Sequence, residues 1–385
     1  MKICFITGSR AEYGLLAPLM KKFKESKKHD LKIIVTGMHL SKKHGETFRD
    51  ILSDKFKINY YVKINQKDDK PNNICNSLSV AICKFSEKFK FLKTDVIVLL
   101  GDRYEIFAAC SAALIHQIPV CHIHGGETTR GAIDESFRHS ITKMSHAHFA
   151  ANKIYARRIR QLGENPKNIF TVGGYGVDLI KNTKLLSKKE LEKKLKISFG
   201  EKNLIVTFHP VTLEKDTSRQ QFKQITEALK TFKNLKIIYT KANNDTYGNI
   251  INHQIDQFVK KNPKISHSFK SMGQLNYLST LKYVDGIIGN SSSGLLEAPC
   301  FKIATINIGD RQLDRLQASS VINCSPFKSN IILAIKKIYS KNFKKKLTKT
   351  INPYGKSGAV EKTYKIIEKL KIKKILKKKF FDLKA

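Results

Sequence analysis

The chain alternates short apolar runs with amphipathic helical patterns from its first residues, and the alternation restarts once near the middle. That order is the pattern of a parallel sheet covered by helices. Lys2 to Thr7 reads as a strand, and Tyr13 to Lys24 as a helix with Leu15, Leu16, Leu19, Met20 and Phe23 on one face. Further strands are expected at Leu31 to Thr36, Val96 to Leu100, Pro119 to Ile123 and Ala147 to Ala151, and this half is complete near Gly173. After Gly173-Gly174-Tyr175-Gly176 and a lysine-rich helix around Leu186 to Leu195, the pattern starts afresh at Asn203 to Phe208. It continues through Ile237 to Thr240, Asp285 to Ile288 and Ile303 to Ile306. The expected fold class is α/β, with two Rossmann-like doubly wound domains facing a central cleft. Residues 1–174 form the first domain, 175–355 the second, and 356–385 a C-terminal helix and basic tail. Ligands of open α/β sheets bind beyond the carboxyl ends of the strands, so polar motifs there are the candidate site.

Length agrees with two cores, because 385 residues exceed what one core usually holds. The longest apolar runs are far too short to cross a bilayer and no signal-peptide pattern opens the chain, so a cytoplasmic protein without membrane insertion is expected. Seven cysteines, none in a C-x-x-C pair, are expected as reduced thiols, mostly core filler, with Cys4, Cys110 and Cys121 in apolar strand or helix patterns. The formal charge of +39 would suit a nucleic-acid or membrane-surface partner. The lysines, however, are spread over nearly every polar face, and no specific nucleic-acid partner is expected. Only the segment from Lys344 to Lys379, leading into Phe380 and Phe381, concentrates them, and a solvated helix is the expectation there.

The polar motifs follow strands. Gly8-Ser9-Arg10-Ala11-Glu12-Tyr13-Gly14 joins the first strand to the first helix, where Arg10 can pair with a phosphate. It is neither G-x-G-x-x-G nor a P-loop, so it does not support a dinucleotide or ATP phosphate cradle; the ordinary alternative is a helix cap beside a surface arginine. Gly101-Asp102-Arg103-Tyr104-Glu105 offers Asp102 either as an N-cap or as a carboxylate aimed at a ligand. His122-Ile123-His124-Gly125-Gly126-Glu127, followed by Asp134-Glu135-Ser136-Phe137-Arg138-His139, concentrates titratable groups that a core does not need. Strand alternation would set His122 and His124 on one side, but no third ligand has zinc-site spacing, and no metal is expected. Asp134 also has a capping alternative, and His139, His146 and His148 read as structural. In the second half, Phe208-His209-Pro210 follows a strand. Gly289-Asn290-Ser291-Ser292-Ser293-Gly294-Leu295-Leu296-Glu297 offers hydroxyls and amides for a pyrophosphate, with Glu297 placed to accept ribose hydroxyls. Asn307-Ile308-Gly309-Asp310-Arg311-Gln312 adds a cation after the next strand.

Taken together, GSRAEYG, TGMHLS, GDRYEIF, HIHGGE, AIDESFRHSITKMSH, FHPVT, GNSSSGLLEAP, INIGDRQ and NPYG resemble the hydrolysing UDP-N-acetylglucosamine 2-epimerases, in order from Met1 to about residue 370. The resemblance implies a glycosyltransferase-B type fold whose last helix crosses back to the first domain. It also implies a cofactor-free enzyme, with a UDP-amino sugar as substrate and water as co-substrate. A base removes H2 as UDP leaves the opposite face, and water then adds to the glycal as C2 is reprotonated. On matching positions, Asp102 and Asp134 are implied acid/base carboxylates and His209 lies near the leaving pyrophosphate. Arg10, Ser291, Ser292, Glu297 and Arg311 match UDP contacts, and Ser293 beside them joins the candidate set. Other branches read HIEGGE, so His124 or Glu127 takes the proton-transfer role here. A histidine base titrates near neutral pH, unlike a carboxylate. A homo-oligomer, dimer or tetramer, is expected. The same family resemblance admits UDP-2,4-diacetamido-2,4,6-trideoxyglucose as the alternative substrate. A glycosyltransferase on the same fold is a rival that the clustered carboxylates and histidine disfavour.

Overall fold

The computed structural model describes residues 1–42, 45–64, 71–129, 133–210, 217–242 and 248–383. Val211 and Thr212 of the FHPVT motif and Ala132 of the AIDESF motif lie outside them. The chain divides into two compact units: Met1–Glu127 with Ile133–Leu179 and Gly355–Ala385, and Thr128–Ala132 with Ile180–Tyr354.

The first unit holds a seven-stranded parallel sheet of β1 (Lys2–Thr7), β2 (Asp30–Thr36), β3 (Tyr60–Val62), β4 (Val96–Leu100), β5 (Val120–Ile123), β6 (Ala147–Ala150) and β7 (Ile169–Thr171). Its spatial order is β3-β2-β1-β4-β5-β6-β7, so the chain winds outward in both directions from β1. Both faces of the sheet are covered, which is why β4 reads as an unbroken apolar run with every residue buried. Val96, Val98 and Leu100 join the core under the helices Arg10–Glu25 and Ala359–Lys369, with Leu16, Leu19, Met20 and Phe23 fully buried there. Ile97 and Leu99 point the other way, into the core formed by the helices Pro71–Phe91 and Tyr104–Ile115. Cys4, Cys110 and Cys121 sit in these two cores, where burial pushes the Cys110 and Cys121 thiols up to about 12.

The Ala359–Lys369 helix is held on the first unit by named contacts. Lys22 pairs with Glu361 at 2.6 Å, Phe23 meets the Tyr364 ring at 4.8 Å, and the Asp178 carboxylate accepts the Gly358 and Val360 amides that open the helix. The chain beyond it departs from the expected solvated helix. A short helix, Ile372–Ile375, is followed by an irregular stretch whose Phe381 amide donates to the Gly163 carbonyl at 2.9 Å.

The second unit repeats the plan with six parallel strands, β8 (Lys202–Thr207), β9 (Leu235–Thr240), β10 (Ser266–Phe269), β11 (Gly286–Gly289), β12 (Ala304–Ile308) and β13 (Val321–Cys324), ordered β10-β9-β8-β11-β12-β13. Leu204, Val206, Ile288 and Ile306 pack on Phe222, Ile225 and Leu229 of the helix Thr217–Leu229. Gly289 sits at φ +134° where β11 leaves the sheet, and a Cβ there would overlap the Thr207 carbonyl oxygen. No helix among the described residues is long and apolar enough to cross a membrane.

Candidate functional site

In the first unit the polar groups collect past the carboxyl ends of β1, β4 and β5. The turn after β4 runs through Gly101 at φ +86°, a left-handed conformation that favours glycine. The following helix starts at Tyr104 with Arg103 as its N-cap and no side-chain cap bond, so Asp102 is free of the capping role that its position suggested. Its carboxylate instead takes a hydrogen bond from Arg138. That guanidinium is 2% exposed; its Nη1 also donates to the Glu127 carbonyl at 3.0 Å and pairs with the Glu135 carboxylate at 3.0 Å. Arg138 escaped the sequence reading because one arginine on a helix carries no signal. Its spacing of four residues from Asp134, on the same helix face, is the trace that could have exposed it.

The turn after β5 is built on the same principle. β5 ends at Ile123, so His124 lies outside the strand, at φ +66°, with its amide donating to the Phe149 carbonyl at 3.0 Å. Alternation therefore does not pair it with His122. The His122 ring is fully buried, with Nε2 2.8 Å from the Gly101 carbonyl and Nδ1 3.1 Å from the Thr142 hydroxyl. Burial pushes its pKa down to about 3. The carbonyl requires a donor, so Nε2 carries the proton of a neutral imidazole and Nδ1 accepts from Thr142. Both nitrogens are thereby engaged in bracing the turn that presents Asp102, and His122 has none left for a metal.

His124 Nδ1 stands 3.1 Å from Glu127 Oε1, and its ring meets the Tyr175 ring edge-on at 5.7 Å. Between them, Gly126 at φ +75° leaves no room for a Cβ against the Tyr155 carbonyl. The two groups that the sequence left as rivals are thus neighbours. Asp134 opens the helix Asp134–Met144 as its first residue, preceded by Ile133, rather than capping it.

Around the first turn, Ser9 caps the helix by accepting the Glu12 amide at 3.4 Å, and Arg10 pairs with Asp50 at 3.2 Å on the surface. Glu12 folds back to take the Gly8 amide at 2.7 Å, and Glu105, fully buried, pairs with Arg103 at 2.7 Å. A Cβ at Gly8 or Gly37 would strike the Glu105 carboxylate, so both glycines make room for it. Burial and the nearby Glu105 charge raise Glu12 to about 8. This pair of buried acids was not foreseen, because each member alone reads as a helix-surface residue.

In the second unit Asn290 is the hub. Its Oδ1 accepts the His209 amide and its Nδ2 donates to the His209 carbonyl, both at 2.7 Å. Its own carbonyl accepts from Arg311 Nη1 at 3.1 Å and from Gln312 Nε2 at 2.9 Å. His209 is thereby fixed through its backbone, leaving Nδ1 without a hydrogen-bond partner among the described residues. Burial, with Arg311 nearby, lowers its pKa to about 3, so the ring is neutral. The serine run opens only a four-residue helix, Ser293–Leu296. Ser291 and Ser292 are partly exposed ahead of it, whereas the Ser293 hydroxyl donates to Glu297 Oε2 at 2.5 Å and meets the Tyr277 hydroxyl at 2.5 Å. Ser293 thus orients Glu297, whose pKa burial raises. Thr128 and Thr129 belong to this unit, where Arg315 grips the Thr128 carbonyl at 2.6 Å and the Thr129 hydroxyl at 2.8 Å.

Two doubly wound parallel-sheet units with their polar groups at strand ends define a fold of the glycosyltransferase-B type. The UDP-GlcNAc 2-epimerase from Neisseria meningitidis, solved bound to UDP-GlcNAc, shares that fold, with a TM-score of 0.81 at 18% identity over 96% of this chain and 100% of its own. The UDP-N-acetylglucosamine 2-epimerase family model matches residues 21–368, and the chain belongs to that family. Among its relatives, a GDP/UDP-N,N'-diacetylbacillosamine 2-epimerase (hydrolyzing) of Campylobacter jejuni is 40% identical over 99% of each chain. Polysialic acid biosynthesis protein P7 of Escherichia coli is 38% identical over 99% of this chain and 97% of its own.

Proposed function

We propose that the chain is a hydrolysing 2-epimerase that converts UDP-N-acetylglucosamine and water to N-acetylmannosamine and UDP, a step toward sialic acid. The observation that carries the reading is the proton-handling set of the first unit: Asp102 on Arg138, and His124 beside Glu127. Glycosyl transfer to an acceptor needs no proton traffic at C2, whereas inversion there does.

In an α-linked gluco sugar nucleotide, H2 and the anomeric oxygen are trans-diaxial. A base takes H2, the C–H pair forms the C1–C2 double bond, and the C1–O bond breaks with its electrons leaving on UDP. Water then adds its oxygen to C1 of the glycal while C2 takes a proton on the opposite face. Asp102, His124, Glu127 and Asp134 are the acid and base groups of these steps. Ser291, Ser292, Glu297 and Arg311 of the second unit hold UDP, with Ser293 bracing Glu297. His209, neutral and with an Nδ1 that has no partner among the described residues, receives or gives a hydrogen bond at the departing diphosphate.

A second reading keeps the chemistry and changes the sugar. The relative from Campylobacter jejuni favours a nucleotide-linked 2,4-diacetamido-2,4,6-trideoxy sugar, while the polysialic acid protein favours the first. Incubation with each sugar nucleotide in deuterated water tests both. Free manno sugar carrying deuterium at C2, with UDP released at the same rate, is expected from the true substrate. A product still attached to UDP overturns the hydrolysing assignment, and turnover of only the diacetamido sugar selects the second reading.

A further inference from the structure

The basic C-terminal tail reads in sequence as solvated charge, yet one of its lysines is spent inside the fold. Lys378 Nζ donates to the Lys143 carbonyl at 2.6 Å and to the Ser145 carbonyl at 2.5 Å, and pairs with Glu164 Oε2 at 2.7 Å. An ammonium has three N–H donors, and all three find acceptors here. Glu164, 2% exposed, also meets Lys143 at 2.9 Å and His148 Nε2 at 2.9 Å. The tail is also seated just beyond that lysine. Phe380 lies against Gly163 and under the Lys143 ammonium at 4.6 Å, while Phe381 donates its amide to the Gly163 carbonyl.

The two carbonyls belong to the C-terminal end of the helix Asp134–Met144, where helical backbone leaves acceptors unmatched and the dipole favours a cation. The opposite end of this helix carries Asp134, and its N-cap, Ile133, makes no side-chain cap bond. The helix is therefore fixed in place by Arg138 near its middle and by the tail at its far end.

We infer that Lys378 is a positioning residue, whose ammonium clamps the helix bearing Asp134 and Arg138 and so sets the placement of those groups. The inference rests on the epimerase reading for its kinetic consequence, but not for its structural one. Misplacement of a reacting group by a fraction of an ångström is costly in rate, while nucleotide held by the second unit is unaffected.

The test compares Lys378→Met and the milder Lys378→Gln with Lys378→Arg, and with Lys379→Gln at the exposed neighbour. The first two are expected to lose about tenfold in kcat with KM within about twofold and UDP affinity unchanged. Amide exchange in the last turn of the Asp134–Met144 helix quickens in both, Lys378→Arg recovers most of the rate, and Lys379→Gln matches the unaltered protein. Undiminished kcat in Lys378→Gln, an equal loss in Lys379→Gln, or unchanged helix exchange overturns the clamp. Exchange is read without substrate. If the unaltered protein turns over neither sugar nucleotide, the functional reading fails while the exchange result still decides the clamp.

Discussion

Arg138 reaches Asp102 from the middle of a helix that starts more than thirty residues after it, and the same guanidinium holds the Glu127 carbonyl. One buried cation thus fixes the turn after β4 against the turn after β5. Arg138→Met is expected to lower stability by about 2–3 kcal/mol, since it leaves charged and carbonyl acceptors unmatched. It should also cut kcat by on the order of a hundredfold. Arg138→Lys keeps the charge but cannot serve acceptors in a fixed fork, so it falls between the two. Urea melts and single-turnover rates check both numbers.

His122 supports Asp102 from beneath. His122→Phe fills the volume but strands the Gly101 carbonyl, while the Thr142 hydroxyl keeps its bond to the Arg138 carbonyl, at a cost of about 2 kcal/mol. Activity is expected to fall with little change in UDP affinity, which isothermal titration alongside turnover measures.

Four buried histidines, His39, His122, His146 and His209, have pKa values lowered to about 4, 3, 4 and 3 by burial. Unfolded, each binds a proton near pH 6.5; folded, each resists it down to pH 3 to 4. The unfolded state binds more protons in that window, so their contribution is complete above pH 6.5 and is lost as pH falls through it. The Tm is expected to drop steadily between pH 6.5 and 4, and a flat Tm there would contradict neutral rings.

Glu12 works in the opposite sense. Its pKa rises from 4.5 to about 8 on folding, so the folded state binds the extra proton between those values. Stability from this group is complete below pH 4.5 and is lost as pH rises to 8, with a slope of at most about 1.4 kcal/mol per pH unit. Glu12→Gln mimics the protonated acid. It should remove the alkaline slope, so that the variant is the more stable protein at pH 8.5 in denaturant melts.

Asn290→Asp exchanges the amide donor at the His209 carbonyl for a second oxygen. Loss of that bond and repulsion between the two oxygens should weaken UDP binding at least about tenfold. The first unit's amide exchange should stay unchanged, a contrast that hydrogen-exchange mass spectrometry resolves.

Much of the fold was readable from the sequence, and the strands that escaped share a place. β3, β7, β10 and β13 are the four sheet edges. Edge strands are short and covered less completely, so Tyr60–Val62 and Val321–Cys324 lack the apolar run that marks β4. The strand-end motifs that the resemblance turned into a site were legible for the same reason that β4 was, since each follows a central strand. Arg138, the Glu12–Glu105 pair and Lys378 were not, because each takes its role from a partner distant in sequence. Asp102 could be read as a cap only while Arg138 was unknown.

The division of the chain also governs how it can be recombined with its relatives. The backbone changes unit at 127/128, 132/133, 179/180 and 354/355, so neither half is a contiguous cassette. A chimera that exchanges residues 180–354 for those of a relative must keep the final thirty or so residues with their own N-terminal half. Lys22–Glu361, Phe23–Tyr364 and Lys378–Glu164 would otherwise be asked to form between sequences that did not evolve together.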